Sequence, residues 1–401
     1  MTAHATKTRR IAIVTGTRAD YGLLRWLVAE TASHPAAELL LITTGTHHSD
    51  AFGRTAQDIL ADGFVPADNV NLLVDGDSDE AVAKSVGLGV LGFTESFRRL
   101  RPDILVVLGD RYEVLAAATT AMLLHIPIAH IHGGEVTTGA LDDNIRHALT
   151  KLSSLHFVAT EDYRRRVVQL GEDPHRVHVV GAPGLENFRR LELDDREAFE
   201  RRLGSPLGSP TFLLTYHPAT AVDEDPVATL ETTCKVLASY EDGLILATGS
   251  NADAGGRTVN QRLAELSRDL GARMRFDLSL GQTGYLSALM HSDAVIGNSS
   301  SGIIEAPSSG TPSVNIGRRQ EGRLRGPTVI DCAADATAIA AAVERALGHD
   351  MQVLAAQKKN PYAAHGYDIG RAMLDILLGA DLDSLRNKVF HDLAAEERPA
   401  N

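Results

Sequence analysis

Residues 103–134, DILVVLGDRYEVLAAATTAMLLHIPIAHIHGG, decide the fold. An unbroken apolar run, ILVVL, ends in Gly-Asp, and an Ala-rich stretch with helical spacing follows. A second apolar run, IPIAHI, then ends in Gly-Gly. Strands buried on both faces of a parallel sheet read as continuous apolar runs rather than alternating ones. Strand, helix, strand is therefore the unit of this chain. Working outward, the same unit recurs. RIAIVTGT precedes a helical stretch, DYGLLRWLVAETAS, and AELLLITTGT is strand-like again. After residue 134 come the helical LDDNIRHALTKLS, the strand-like LHFVAT, the helical EDYRRRVVQLG and the strand-like VHVVGAP. Alternation of this kind predicts an α/β protein with a parallel sheet covered by helices.

The alternation breaks at residues 185–210, LENFRRLELDDREAFERRLGSPLGSP, which are charged and end in Gly, Ser and Pro. This reads as a linker containing a helix. Strand-like runs then resume at TFLLTYHP, GLILATGS, RMRFDLSL, AVIGNSS and TPSVNIG. The expected fold is α/β, with two Rossmann-like domains facing a central cleft. The boundaries are 1–185 for the first domain, 186–365 for the second, and 366–401 for a helical tail packing back on the first.

The chain has 401 residues, enough for two domains with real cores. A net charge of −13 disfavours nucleic acid and anionic membranes as partners. A membrane-crossing helix needs roughly 18 apolar residues, and no stretch of the chain approaches that. The start, MTAHATKTRR, lacks the apolar segment of a signal peptide and reads as a loose tail. Cys234 and Cys332 lie far apart and form no CxxC motif, which points to a reducing cytoplasm.

Ligands of doubly wound sheets bind at the carboxyl ends of the strands, and the unusual residues of this chain sit there. GTRADYG, residues 16–22, places Arg18 at a strand-to-helix turn. It suits an anion, and equally a tight turn with a solvated arginine. Asp110 and Arg111 follow a buried strand; Asp110 either faces the cleft or caps the next helix. Residues 129–157 hold four histidines, three acids, an arginine and a lysine around Gly133 and Gly134. His130 and His132 alternate and so are expected to point the same way. Asp142 and Arg146 are four apart and can pair. A metal site, hydrogen-bonding histidines with capping acids, and an acid/base cluster all remain open there, although no HExxH or Cys-rich partner supports a metal. His217 ends the first strand of the second half and faces the same cleft or a loop. In GNSSSGIIEAPSSG, residues 297–310, Ser299, Ser300 and Ser301 open a helix with Glu305 one turn inside it. Arg318, Arg319 and Arg323 follow in a loop. Serines, a carboxylate and arginines in succession suit a nucleotide diphosphate.

Taken in order, these motifs resemble the UDP-N-acetylglucosamine 2-epimerases, and more narrowly their hydrolysing branch, which serves nonulosonate (sialic-acid-type) biosynthesis. The resemblance runs from TGTRADYG to NIGRRQEGR. It implies a GT-B-like pair of Rossmann domains with a UDP-sugar between them, no cofactor, no metal, and a homodimer or higher homo-oligomer. The implied reaction eliminates UDP to a 2-acetamidoglycal, then hydrates it to free N-acetylmannosamine. By resemblance, Arg18, Arg111, Ser299, Ser300, Ser301, Glu305 and Arg319 hold the UDP-sugar, with His217 near the diphosphate and Asn251 near the nucleotide. The family's acid/base carboxylates map onto Asp110 and Asp142. His132 stands where the family pattern has Glu, and Glu135 follows three residues on, so catalysis is assigned to Asp110, Glu135, Asp142 and His132. The alternatives are hydrolysis of UDP-2,4-diacetamido-2,4,6-trideoxyglucose, a non-hydrolysing UDP-sugar 2-epimerase, a glycosyltransferase, and a sensor without catalysis.

Overall fold

The computed structural model describes residues 8–48, 55–74, 78–137, 141–218, 225–250, 255–364 and 368–393. The N-terminal tail expected for about the first eight residues lies almost wholly outside them. The chain divides into two compact units. The first comprises Met1–Glu135, Leu141–Glu186 and Ala364–Asn401, and the second Val136–Ala140 and Asn187–Ala363.

The first unit is built on seven parallel strands: β1 Arg9–Thr15, β2 Ala37–Thr44, β3 Asp68–Val70, β4 Ile104–Leu108, β5 Ile128–Ile131, β6 Leu155–Val158 and β7 Val177–Val179. Their order is β3-β2-β1-β4-β5-β6-β7. The second unit carries β8 Thr211–Thr215, β9 Leu244–Thr248, β10 Met274–Asp277, β11 Ala294–Gly297, β12 Ser313–Ile316 and β13 Val329–Cys332, in the order β10-β9-β8-β11-β12-β13. Both orders are those of the dinucleotide-binding fold, with a reversal between β1 and β4 and again between β8 and β11.

Side chains alternate between the faces of each sheet, as a period of two requires. Ile11 and Ile13 of β1 enter one core, and Ala12 and Val14 enter the other. Phe212 and Leu214 of β8 likewise part from Leu213.

The sequence reading missed β3 and β13. The first has only three residues, and the second reads VIDC, with an aspartate in the run. Both lie at sheet edges, where one neighbouring strand gives less reason for an apolar run. The supposed linker is also more than that. Its Arg196–Leu203 helix buries Phe199 and Leu203 in the core of the second unit.

Two features set the first unit's stability. The Ile369–Gly379 helix returns to this unit and buries Ile369, Met373, Leu374 and Leu377 in the core beside β1. Each such side chain contributes about 1.5–3 kcal/mol. Gly370 permits the contact, because a Cβ there would stand 2.8 Å from the Trp26 carbonyl carbon. The second feature is a buried charge cluster. Glu172 accepts from His156 Nε2 at 2.9 Å and Lys151 Nζ at 2.6 Å, and pairs with Lys388 Nζ at 2.7 Å. Burial alone would raise its carboxyl, but these partners outweigh burial and hold it at about 2 against a reference of 4.5. The folded value is depressed, so the stabilisation is complete above about pH 4.5 and is lost as pH falls toward 2. It amounts to about 3 kcal/mol at neutral pH. In acid denaturation followed by circular dichroism, Glu172→Gln is expected to flatten the pH dependence of stability across that window. An unchanged slope would remove Glu172 from the account.

Among the described residues no helix is long and apolar enough to cross a membrane. Cys234 and Cys332 are both free thiols.

Candidate active site

In the first unit, the turns after β1, β4 and β5 carry Arg18, Asp110 with Arg111, and His132 with Glu135. The chain's use of Asp110 settles one of the open readings. The N-cap of the Tyr112–Leu123 helix is Arg111, and no side chain caps it. Asp110 is therefore not spent on the helix; its Oδ2 pairs with Arg146 Nη2. Arg146 also donates through Nη1 to Asp143 Oδ1 at 2.8 Å and to the Glu135 carbonyl at 2.9 Å. This guanidinium is only 1% exposed. Its planar array of donors joins the end of β4, the loop after β5 and the Leu141–Leu152 helix, which a lysine could not do in one plane. The sequence offered Asp142 as the acid on its own helix for Arg146; the bond found there is to Asp143. The bond of Arg146 to Asp110, 36 residues away, was not legible.

The four histidines of this stretch divide by partner. His130 is fully buried, with Nε2 2.8 Å from the Gly109 carbonyl and Nδ1 3.3 Å from Thr150 Oγ1. Burial lowers its imidazole to about 3, so it is a neutral link between β4 and β5. His156 is equally buried and pairs with Glu172, away from Asp110. Burial lowers it too, against the pull of Glu172. His147 lies 3.8 Å from Asp143. His132 is different. The strand ends at Ile131, and His132 takes a left-handed backbone with φ 69°. The expected alternation with His130 stops there, and His132 Nδ1 meets Glu135 Oε1 instead. Both side chains are largely buried, at 12% and 5% exposure.

Gly134 makes this loop possible. Its φ is +78°, and a Cβ would stand 2.4 Å from the Tyr163 carbonyl oxygen. Arg166 Nε holds the Gly134 carbonyl at 2.8 Å. The close approach turns the chain so that Glu135 comes back to His132. Asp142 is exposed in the first turn of the Leu141–Leu152 helix, one turn before Arg146.

Two further arginines stand on the turns after β1 and β4. Arg18 opens the first helix and pairs with Asp58 at 3.1 Å, with nearly half its side chain exposed. Arg111 sits beside the fully buried Glu113, 3.2 Å from its Oε1.

The second unit has its own cluster, centred on a residue that the sequence reading passed over. Asn298, at the end of β11, accepts from the His217 N–H at 2.8 Å and donates to the His217 carbonyl at 2.7 Å. Its own carbonyl accepts from Arg319 Nη1 at 3.1 Å and Gln320 Nε2 at 2.9 Å. One buried asparagine, through its side-chain amide and its main-chain carbonyl, thus gathers the turns after β8, β11 and β12. The signal available was a polar residue at the end of an apolar run, which the serines after it overshadowed. Burial, helped by Arg319, lowers the His217 imidazole to about 3, so it presents a neutral ring. Ser299 and Ser300 precede the Ser301–Ile304 helix, whose N-cap Ser300 makes no side-chain cap bond. That helix is a single turn. Glu305 does not lie inside it but at the break before the Ala306–Ser309 helix. Pro307 explains the break, since it has no N–H to continue the ladder. Asn251 lies outside the described residues. Among the described residues no three or more His, Cys, Asp or Glu side chains are grouped to hold a metal ion.

Strand ends of the first unit carry acids suited to proton transfer, and those of the second carry serines, an imidazole and an arginine suited to a phosphorylated ligand. Comparison with known proteins gives the chain a family. The family model described as UDP-N-acetylglucosamine 2-epimerase matches residues 29–371. The chain belongs to the UDP-N-acetylglucosamine 2-epimerase family.

Within that family it falls in the hydrolysing branch. It is 38% identical over 323 residues to the GDP/UDP-N,N′-diacetylbacillosamine 2-epimerase (hydrolyzing) of Campylobacter jejuni, covering 80% of this chain and 84% of that protein. It is 37% identical over 345 residues to the UDP-N,N′-diacetylbacillosamine 2-epimerase (hydrolyzing) of Legionella pneumophila, covering 84% and 89%. Among solved structures, the UDP-GlcNAc 2-epimerase from Neisseria meningitidis bound to UDP-GlcNAc superposes with a TM-score of 0.79, covering 92% of this chain and 100% of that one. At 16% identity, that likeness concerns the epimerase fold alone.

Proposed function

We propose that this epimerase hydrolyses a UDP-2-acetamido sugar with inversion at C2, and that UDP-2,4-diacetamido-2,4,6-trideoxyglucose is its substrate. That systematic name describes the UDP-diacetylbacillosamine on which the two relatives are named to act. Their similarity supports it over UDP-N-acetylglucosamine, which the sequence motifs alone put first. The observation that carries the catalytic reading is the Arg146 network, which ties the Asp110 carboxylate and the Glu135 main-chain carbonyl to one buried cation, while the Glu135 carboxylate meets His132.

The chemistry is balanced in two steps. A base takes the C2 proton, the electron pair forms the C1–C2 double bond, and the C1–O bond breaks with its electrons leaving on UDP. Water then adds its oxygen to C1, a proton returns to C2 from the opposite face, and the water proton passes to a base. The two faces of C2 need two groups, as acid and base roles require separate placement. Asp110, Glu135, Asp142 and His132 supply them in this proposal. His132, held through Nδ1 by Glu135, offers Nε2 from a fixed ring. Arg18, Arg111, His217, Ser299, Ser300, Ser301, Glu305, Arg319 and Asn251 bind the nucleotide sugar. As charge builds on the leaving diphosphate, donors of this kind stabilise it.

Incubation with each UDP-sugar in deuterated water, read by NMR, tests the proposal. Free 2-epimer carrying deuterium at C2, together with UDP, is expected, with the diacetamido sugar turned over faster. A product still linked to UDP would indicate the non-hydrolysing reaction and sink the proposal. Faster turnover of UDP-N-acetylglucosamine would overturn the choice of sugar.

A further inference from the structure

Asp20 has no role in the scheme above, yet its surroundings are unlike those of a capping acid. It is the third residue of the Arg18–Ser33 helix, and its N–H donates to Thr17 Oγ1 at 3.1 Å. An acid at this position ordinarily accepts from the backbone N–H of the cap residue. The Asp20 carboxyl takes hydrogen bonds from the Thr17 side chain and the Gly16 backbone instead. Asp20 as a residue is partly exposed, but its Oδ2 is buried and has no hydrogen-bond partner.

The space around that oxygen is shared. A Cβ built on Gly16 would stand 3.5 Å from Asp20 Oδ2 and 3.8 Å from both Cβ and Cδ of Glu113. Glu113 turns both oxygens to Arg111, with Oε1 3.2 Å from Nη2 and Oε2 3.3 Å from Nε. Glu113 therefore holds the Arg111 guanidinium, the charge of Arg111 acts on Asp20 as well, and one buried Asp20 oxygen is left without a donor. Leaving such an oxygen charged and unsatisfied is unfavourable. The bonds from Thr17 and Gly16 account for neither the unpartnered Oδ2 nor Glu113.

We infer that Asp20 and Glu113 form a two-acid seat that positions Arg111, and that a diphosphate binding at Arg111 draws a proton from solvent onto Asp20. The inference rests on the reading of Arg111 as an anion-binding residue. Arg111 is the charge that favours ionised Asp20, and Glu113 opposes it. A bound diphosphate shares the guanidinium with the acids and adds negative charge, so both changes favour the neutral carboxyl. Hydronium or a buffer acid gives up its bond to the proton, one O–H bond forms on Asp20, and no other bond changes.

The other groups nearby do not supply this proton. Arg18, on Asp20's own helix, pairs with Asp58. On the turn after β2, His47 bonds the Thr15 and Thr55 hydroxyls, and burial lowers its imidazole to about 4. His48 is lowered by burial as well. Burial already raises Asp20 to about 6, against the pull of Arg111. A further rise on binding places proton uptake near neutral pH. UDP affinity then falls as pH rises through the value of the bound form.

Calorimetry of UDP binding at pH 7, in two buffers of different ionisation enthalpy, counts the protons. The terminal phosphate of UDP titrates in the same range, so the readout is the difference between wild type and Asp20→Asn. Wild type is expected to take up more protons per UDP than Asp20→Asn, which still binds UDP. Glu113→Gln serves as the second variant should Asp20→Asn not fold, and it too is expected to lower the proton count. Equal counts in wild type and the folded variant would overturn the inference. UDP affinity unaffected by Arg111→Met would overturn the anion-binding reading itself, and this inference with it.

Discussion

Asp110→Asn is expected to lower kcat/KM for the UDP-sugar by roughly 10²–10⁴, the range for removing a positioned acid or base. UDP affinity should stay close to that of wild type, because the proposed nucleotide ligands are other residues. Asparagine keeps the shape and one hydrogen bond to Arg146 but can neither accept nor deliver the proton. The measurement is steady-state turnover beside calorimetric UDP binding on the same preparation. Deuterium washing into C2 at the normal rate in Asp110→Asn would remove Asp110 from proton transfer. A parallel loss of UDP binding would show instead that the variant had disturbed the fold around the turn after β4.

Arg146→Met is expected to have the largest effect on stability. Its guanidinium is almost completely buried, while Asp110 and Asp143 keep about a quarter of their surface. Removing one partner of a buried pair costs about 3–5 kcal/mol, because the remaining charge is stranded. Partial exposure of the two aspartates lets water screen them, so a cost of about 3 kcal/mol in urea unfolding is expected. Activity should fall with it, since Asp110, Asp143 and the Glu135 carbonyl lose their common tie. Arg146→Lys should recover part of the stability and little of the activity, because one ammonium cannot hold three acceptors in a plane. In the double variant with Asp110→Asn, the two stability losses should not add, as expected for groups in contact. Additive losses would mean that the pair is not coupled.

Much of the candidate site could be read from strand ends alone. Asp110, His132 and Glu135 follow apolar runs of the first sheet, His217 and the serine turn those of the second, and each parallel sheet sends such residues to its own carboxyl edge. The sequence was a poorer guide to partners. Asp110 could as well have capped a helix, and the alternation of His130 and His132 predicted that both point the same way. A left-handed backbone at His132 and a glycine pressed against Tyr163 decide the second point. Asn298 and Glu113 drew no notice because a single polar residue beside an apolar run has no periodic signal. Their meaning lies in what they touch.

The order of the motifs determined the family, and the unbroken apolar runs determined that the sheets are parallel. Both are local properties: a run of five buried residues, or a Gly-Asp-Arg after it, is visible wherever it stands. The tertiary structure alone decided which charges meet. Arg146 and Asp110 are distant in sequence and adjacent in space, and Lys388 reaches Glu172 from the far end of the chain. The pairing of buried charges depends on crossover connections that bring β4, β5 and the Leu141–Leu152 helix together. Residues 129–157 therefore announced a crowd of titrating groups. The fold made two of its histidines structural links, set His132 against Glu135, and joined the acids through one arginine.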